Sequence, residues 1–137
     1  MSYYINIAVR GYTFNEAIQN LKDELRKEGF DVHANTDLSK VFSAKLGIPF
    51  RKYVIISACN PAYMYRALFA DEKAGVLNPC NFVIQEYDDG RIEITVVDPA
   101  ELMTISDNDN LKLVANQLQR KIWQIIRHLH SAEVIYA

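Results

Sequence analysis

The sequence is short of everything that would place it in a specialised class. Two cysteines in 137 residues cannot build a disulfide framework. Five glycines and four prolines leave no stretch rich enough to act as a linker, and no internal repeat is visible. Neither sign of charge dominates: 15 basic residues stand against 17 acidic ones, and the net charge is −2. With a pI near 5.9, the chain lacks the basic footprint of a duplex-binding protein, so no nucleic-acid partner is expected. No apolar run reaches the length of a membrane span, so no membrane partner is expected either. The opening Met1-Ser2-Tyr3-Tyr4-Ile5 has neither the charged start nor the long apolar stretch of a secretory signal. These absences lead to the expectation of a cytoplasmic protein whose thiols stay reduced.

What remains is ordinary globular material. Half the residues are hydrophobic and 23% are charged. The length suits a single domain over residues 1–137, large enough to bury roughly two-thirds of its unfolded surface.

Periodicity then marks the elements. Residues 3–9 alternate, with Ile5, Ile7 and Val9 on one face and Tyr4, Asn6 and Ala8 on the other, which predicts a strand. Thr13 and Glu16 fit a capping box. Phe14, Ala17, Ile18, Leu21 and Leu25 follow at helical spacing, and Gly29 closes that helix. A short strand is predicted over 30–35 and a short helix after Asp37, stopped by Gly47 and Pro49. Residues 51–58 read as a strand whose apolar run, 53–56, does not alternate, as expected when both faces are covered. Asn60 as N-cap and Pro61 at the first helical position open the next helix. Met64, Ala67 and Leu68 line one side of it, with Tyr65 and Phe69 beside them.

Residues 82–87 and 91–97 flank Asp88-Asp89-Gly90, a hairpin signal. Asp98-Pro99-Ala100-Glu101 opens a short helical turn. The last element begins near Ser106-Asp107-Asn108-Asp109 and runs as a long helix to about residue 130. Leu111, Val114, Ala115, Leu118, Ile122, Ile125, Ile126 and Leu129 form its stripe. This order predicts an α+β fold: one mainly antiparallel sheet with helices mainly on one face. The other face would carry Tyr4, Ala8, Val83, Tyr87 and Val97. A half-apolar, tyrosine-rich face suits a subunit interface, so a homodimer through this sheet face is expected.

The stretches FNEAIQNLKDELRKEGF, KLG, ACNP, LNPCNF and the DP after the hairpin resemble the bacterial and archaeal family known as domain of unknown function 302. The resemblance runs from about Tyr3 to Met103 and leaves the C-terminal helix outside. It implies a small α+β domain similar to half of the TATA-binding-protein architecture, paired through its sheet, with no assigned activity. Cys59, Asn60, Pro61, Pro79 and Cys80 fall on the family's recurrent motif. A fold likeness of this kind transfers no DNA binding.

The candidate site is the turn Cys59-Asn60-Pro61 together with Cys80 and, on the helix that follows, Arg66. A thiol beside a helix N-terminus is activated by unpaired N–H groups and the helix dipole. The plainer reading of a cysteine at a strand end is a small buried residue, since nothing near it in the sequence supplies a base. Whether Cys59 meets Cys80 depends on topology. Antiparallel strands would put both thiols at one end of the sheet, whereas parallel strands would separate them by about 15–20 Å. A sheet with an antiparallel hairpin permits either. Two thiolates alone do not make a structural zinc site, so no metal site is expected. His128 and His130 are two apart on a helix and point about 200° away from each other; they read as dipole partners at its C-terminal end. Asp98 and Glu101 are explained by capping, and Lys45, Arg51, Lys52 and Arg66 by solvation. The functional expectation is a homodimeric small-ligand-binding or sensing domain with its site near Cys59 and Cys80. The alternatives are a small enzyme with Cys59 as nucleophile, which needs a base within reach, and a domain that only assembles with partners.

Overall fold

A computed structural model of the chain describes residues 2–77, 80–129 and 132–136. Its element order is β1 (Tyr4–Val9), α1 (Phe14–Lys27), β2 (Asp31–Asp37), α2 (Leu38–Leu46), β3 (Tyr53–Cys59), α3 (Pro61–Ala70), β4 (Cys80–Glu86), β5 (Ile92–Val97), α4 (Pro99–Leu102), α5 (Asp109–His128) and β6 (Ala132–Tyr136). Short 3-10 turns follow α3 and α4, at Ala74–Leu77 and Met103–Ile105. The six strands form one sheet in the order β2-β3-β4-β5-β1-β6, and every neighbouring pair is antiparallel. The expected α+β architecture with a long C-terminal helix is therefore present. β6 is an addition to the expected elements: it pairs antiparallel with β1 at the sheet edge.

Local chemistry accounts for the helix ends. Thr13 and Glu16 close the capping box reciprocally: the Thr13 hydroxyl accepts from the Glu16 N–H at 3.1 Å, and the Glu16 carboxylate accepts from the Thr13 N–H at 2.9 Å. At the other end of α1, Gly29 adopts φ +83°. Its N–H donates to the Arg26 carbonyl and that of Phe30 to the Leu25 carbonyl, so the last carbonyls are satisfied by a Schellman turn that favours glycine. Asp37, Asp98 and Asn108 cap α2, α4 and α5 through their side chains.

One face of the sheet carries Ile5, Ile7, Val54, Ile56, Phe82, Ile84, Ile94 and Val96, all buried, against Leu21 and Leu25 of α1 and Ile122 and Ile125 of α5. This is the main core. A second, smaller cluster of Ala74, Met103, Leu111 and Ala115, with Met64, Ala67, Ala70 and Leu102 against it, lies where α3 and α4 meet the start of α5. The Asn108 side-chain amide donates to the Ala70 carbonyl at 2.7 Å and fixes the end of α3 to the start of α5. α3 itself holds no fully buried residue. Met64 and Ala67 turn inward, whereas Tyr65, Leu68 and Phe69 are exposed, so Leu68 does not share the inward side expected for it.

The outer face of the sheet carries Tyr4, Ala8, Val83 and Tyr87, as alternation predicts. Val97 departs from it by lining a cavity and packing against the main core. α2 leans over this outer face. Its Phe42 ring meets Phe50 edge-on at 5.2 Å, and Phe50 contacts Tyr53 at 6.1 Å.

Candidate functional site

The antiparallel pairing of β3 and β4 decides the question of the cysteines. Ala58 faces Cys80 directly, and Cys59 is the next residue. Its Cα therefore lies roughly 6 Å from that of Cys80, given the spacing of opposed residues and the rise along a strand. Both residues are buried, 8% exposed each, and no disulfide joins them. Both line one cavity of about 100 Å³, partly open to solvent, at the end of the sheet.

The cavity lies between the two hydrophobic clusters. Phe30, Cys80, Val97 and Leu118 come from the side of the main core; Met64, Ala67, Ala74, Met103, Leu111 and Ala115 come from the smaller cluster. The alanines explain the space: three of the facing positions carry side chains too short to meet across it. The polar side chains in the described lining belong to Asn60 and Tyr63; no histidine, aspartate or glutamate contributes. Burial, with the Cys59 thiol nearby, pushes the Cys80 thiol up to about 12, so it is fully protonated at neutral pH.

Asn60 occupies the N-cap position of α3 with Pro61 after it, but its side chain makes no capping bond. It is buried, and its amide donates to the Glu28 carbonyl at 3.1 Å. The expected cap is thus a strut between the end of α1 and the β3–α3 turn. Pro61 is exposed and does not line the cavity. Arg66 is also outside it: it donates to Gln117 at 2.6 Å and stacks over the Tyr63 ring at 4.4 Å, so its link to the cavity runs through Tyr63. Asp98 is absorbed by capping, accepting from the Ala100 and Glu101 N–H groups and from the Gln119 amide. His33 is exposed at a bulge in β2, and His128 lies 3.9 Å from Glu28. His130 and Pro79 lie outside the described residues. Among the described residues, no group of three or more His, Cys, Asp and Glu side chains could hold a metal ion.

A polar network on the outer face was not anticipated. Glu93, only 7% exposed, accepts from Asn6 at 2.8 Å and pairs with Arg91 at 3.0 Å. Thr95 donates to Asn6 at 2.8 Å. The Tyr87 ring sits under the Arg51 and Arg91 guanidiniums, 5.1 and 4.3 Å from its centroid. Burial, and then the Glu93 carboxylate, raise the Tyr87 phenol above its ordinary value. Alternation accounts for Asn6, Glu93 and Thr95 sharing one face; only the register, with Asn6 opposite Thr95, brings them together.

The fold and cavity define a single-sheet α+β domain with a small apolar chamber at one sheet end. The family described as "Domain of unknown function DUF302" matches residues 5–129, and the chain belongs to it; the match runs through α5. In a solved structure, the crystal structure of an uncharacterized conserved protein DUF302 from Bacillus stearothermophilus, the fold is the same. The TM-score is 0.86 at 24% identity, covering 95% of this chain and 100% of that one. No curated protein matches the chain. Among the described residues, no helix is long and apolar enough to cross a membrane.

Proposed function

We propose that the chain is a homodimeric domain that binds a small, largely apolar ligand in the cavity between the β3–α3 turn and α5. The observation that carries this reading is the cavity itself, which is lined by both cysteines and almost wholly by apolar residues. Dry apolar cavities of about 150 Å³ accept benzene, so the ligand is of that order of size, with Asn60 and Tyr63 available to orient a single polar group. Binding is preferred to thiol catalysis because the described lining offers no general base and Cys80 is held as a neutral thiol.

Thermal unfolding of the purified chain with benzene, indole and short alcohols tests the reading. At least one should raise the midpoint in the native chain and lose that effect in Ala67→Phe, which fills the cavity from α3. Absence of a shift with every probe would end the proposal. Assembly through the outer sheet face is supported by the half-buried Ile55 and Val83 at its centre and by exposed Val41, Leu46, Ile48 and Phe50 around α2.

A further inference from the structure

We propose that the cavity is a binding site for a soft monovalent metal ion, Cu(I), with Cys59 and Cys80 as thiolate ligands and Met64 and Met103 as thioether ligands. The inference uses the same cavity but goes beyond the apolar-ligand reading, because it names a different class of ligand.

The chain contains two cysteines and three methionines. Apart from Met1, which lies outside the described residues, every one of these sulfur-bearing residues lines this cavity. They arrive from four places: the end of β3, the start of β4, the first turns of α3, and the turn after α4. The main hydrophobic core holds no methionine, so the sulfur is not simply spread through buried positions. Methionine is a versatile gap filler, but here it gathers where the two thiols already are.

Donor chemistry selects the ion. The described lining supplies no imidazole or carboxylate, so the harder cations find no ligands there and zinc finds only two of the four it takes in a structural site. Thiolate and thioether together are the soft set that favours Cu(I). The binding step is ligand exchange without electron transfer. Cu(I) leaves its carrier, each thiol that ligates loses its proton to solvent, a copper–sulfur bond forms in its place, and copper remains in the +1 state. The apolar walls would shield the ion from water and dioxygen.

Anaerobic titration of the full, reduced chain against the coloured Cu(I)–bathocuproine disulfonate complex tests this. One equivalent of Cu(I) should be withdrawn, with a sulfur-to-copper charge-transfer band in the near ultraviolet. Cys59→Ser and Cys80→Ala should each weaken binding by about 100-fold or more. The paired change Met64→Leu with Met103→Leu should weaken it by about 10-fold. The leucines preserve side-chain volume, so the test survives a cysteine variant that does not fold. No withdrawal of Cu(I), or full binding retained in the methionine pair, overturns the inference. A chain that binds benzene or indole but no Cu(I) leaves the apolar-ligand reading standing and removes this one. Cu(I) uptake without any apolar ligand supports this inference and removes that reading.

Discussion

The Asn60 side-chain amide donates to the Glu28 carbonyl, 3.1 Å away and 32 residues earlier in the chain. Position alone makes Asn60 a helix cap, but its function in the fold is to hold α1 against the turn that carries Cys59. The two roles predict different outcomes. Serine caps helices about as well as asparagine but cannot reach across to Glu28. Asn60→Ser should therefore cost about 1–2 kcal/mol in urea unfolding, the worth of a buried hydrogen bond lost on one side. An unchanged midpoint would mean that the strut contributes nothing.

The Cys80 thiol makes stability pH-dependent on the alkaline side. Its value rises from 9.0 in the unfolded reference to about 12 in the fold. Below pH 9 both states keep the proton and the thiol contributes its full share. Between these values the unfolded chain loses a proton that the folded chain retains, so stability falls as pH rises, by at most about 1.4 kcal/mol per pH unit. The Tyr87 phenol, also raised, acts in the same direction and remains in both proteins compared. Denaturant unfolding from pH 8 to 11 should show a shallower decline in Cys80→Ala than in the native chain. Parallel declines would place the thiol in water.

How much of this was readable beforehand follows from how local each feature is. The capping box at Thr13, the Gly29 stop and the turn at Gly90 depend on residues three or four apart, and each formed where the sequence predicts. β6 escaped because a five-residue edge strand is defined by its partner, β1, more than 120 residues earlier. The cysteines were recognised as a candidate pair, but their approach depended on whether β3 and β4 run parallel or antiparallel. A connection holding one helix fits both arrangements. Helical spacing puts Met64 on one side of α3, and no pattern in the sequence marks Met103. Their convergence is a consequence of α4 closing over the start of α5, which no spacing in the sequence encodes. Nothing in the alternating strand 91–97 marks Glu93 for burial; that is created by Asn6, Tyr87 and Arg91 around it.

That network predicts an effect for a change of one atom. Glu93→Gln keeps the shape of the side chain but removes the charge facing Arg91 and turns a donor toward Asn6 or Arg91. Arg91 is about half exposed, so the ion pair itself is worth little; the loss comes mainly from the mismatched hydrogen bonds of a buried group. A destabilisation of about 1–2 kcal/mol is expected by chemical denaturation. Asn6→Asp, which sets two carboxylates against each other, should cost at least as much. If both variants unfold at the native midpoint, the network is ornamental.

The outer sheet face predicts an assembly state. Val83 sits at its centre, opposite Ile55 on β3 and Thr95 on β5, and is half-buried. A stable interface removes about 800 Å² from each partner. The exposed Leu46, Ile48 and Phe50 beside α2 would add apolar area to the sheet in such a contact. A lysine at position 83 would be stranded in the middle of such a contact but could extend into water from a lone subunit, where it should cost less than about 1 kcal/mol. Val83→Lys is therefore expected to halve the mass seen by sedimentation equilibrium while leaving the circular dichroism spectrum unchanged. Leu46→Glu should weaken association from the rim without abolishing it. A Val83→Lys chain that sediments as the native one does would remove the sheet face as the interface.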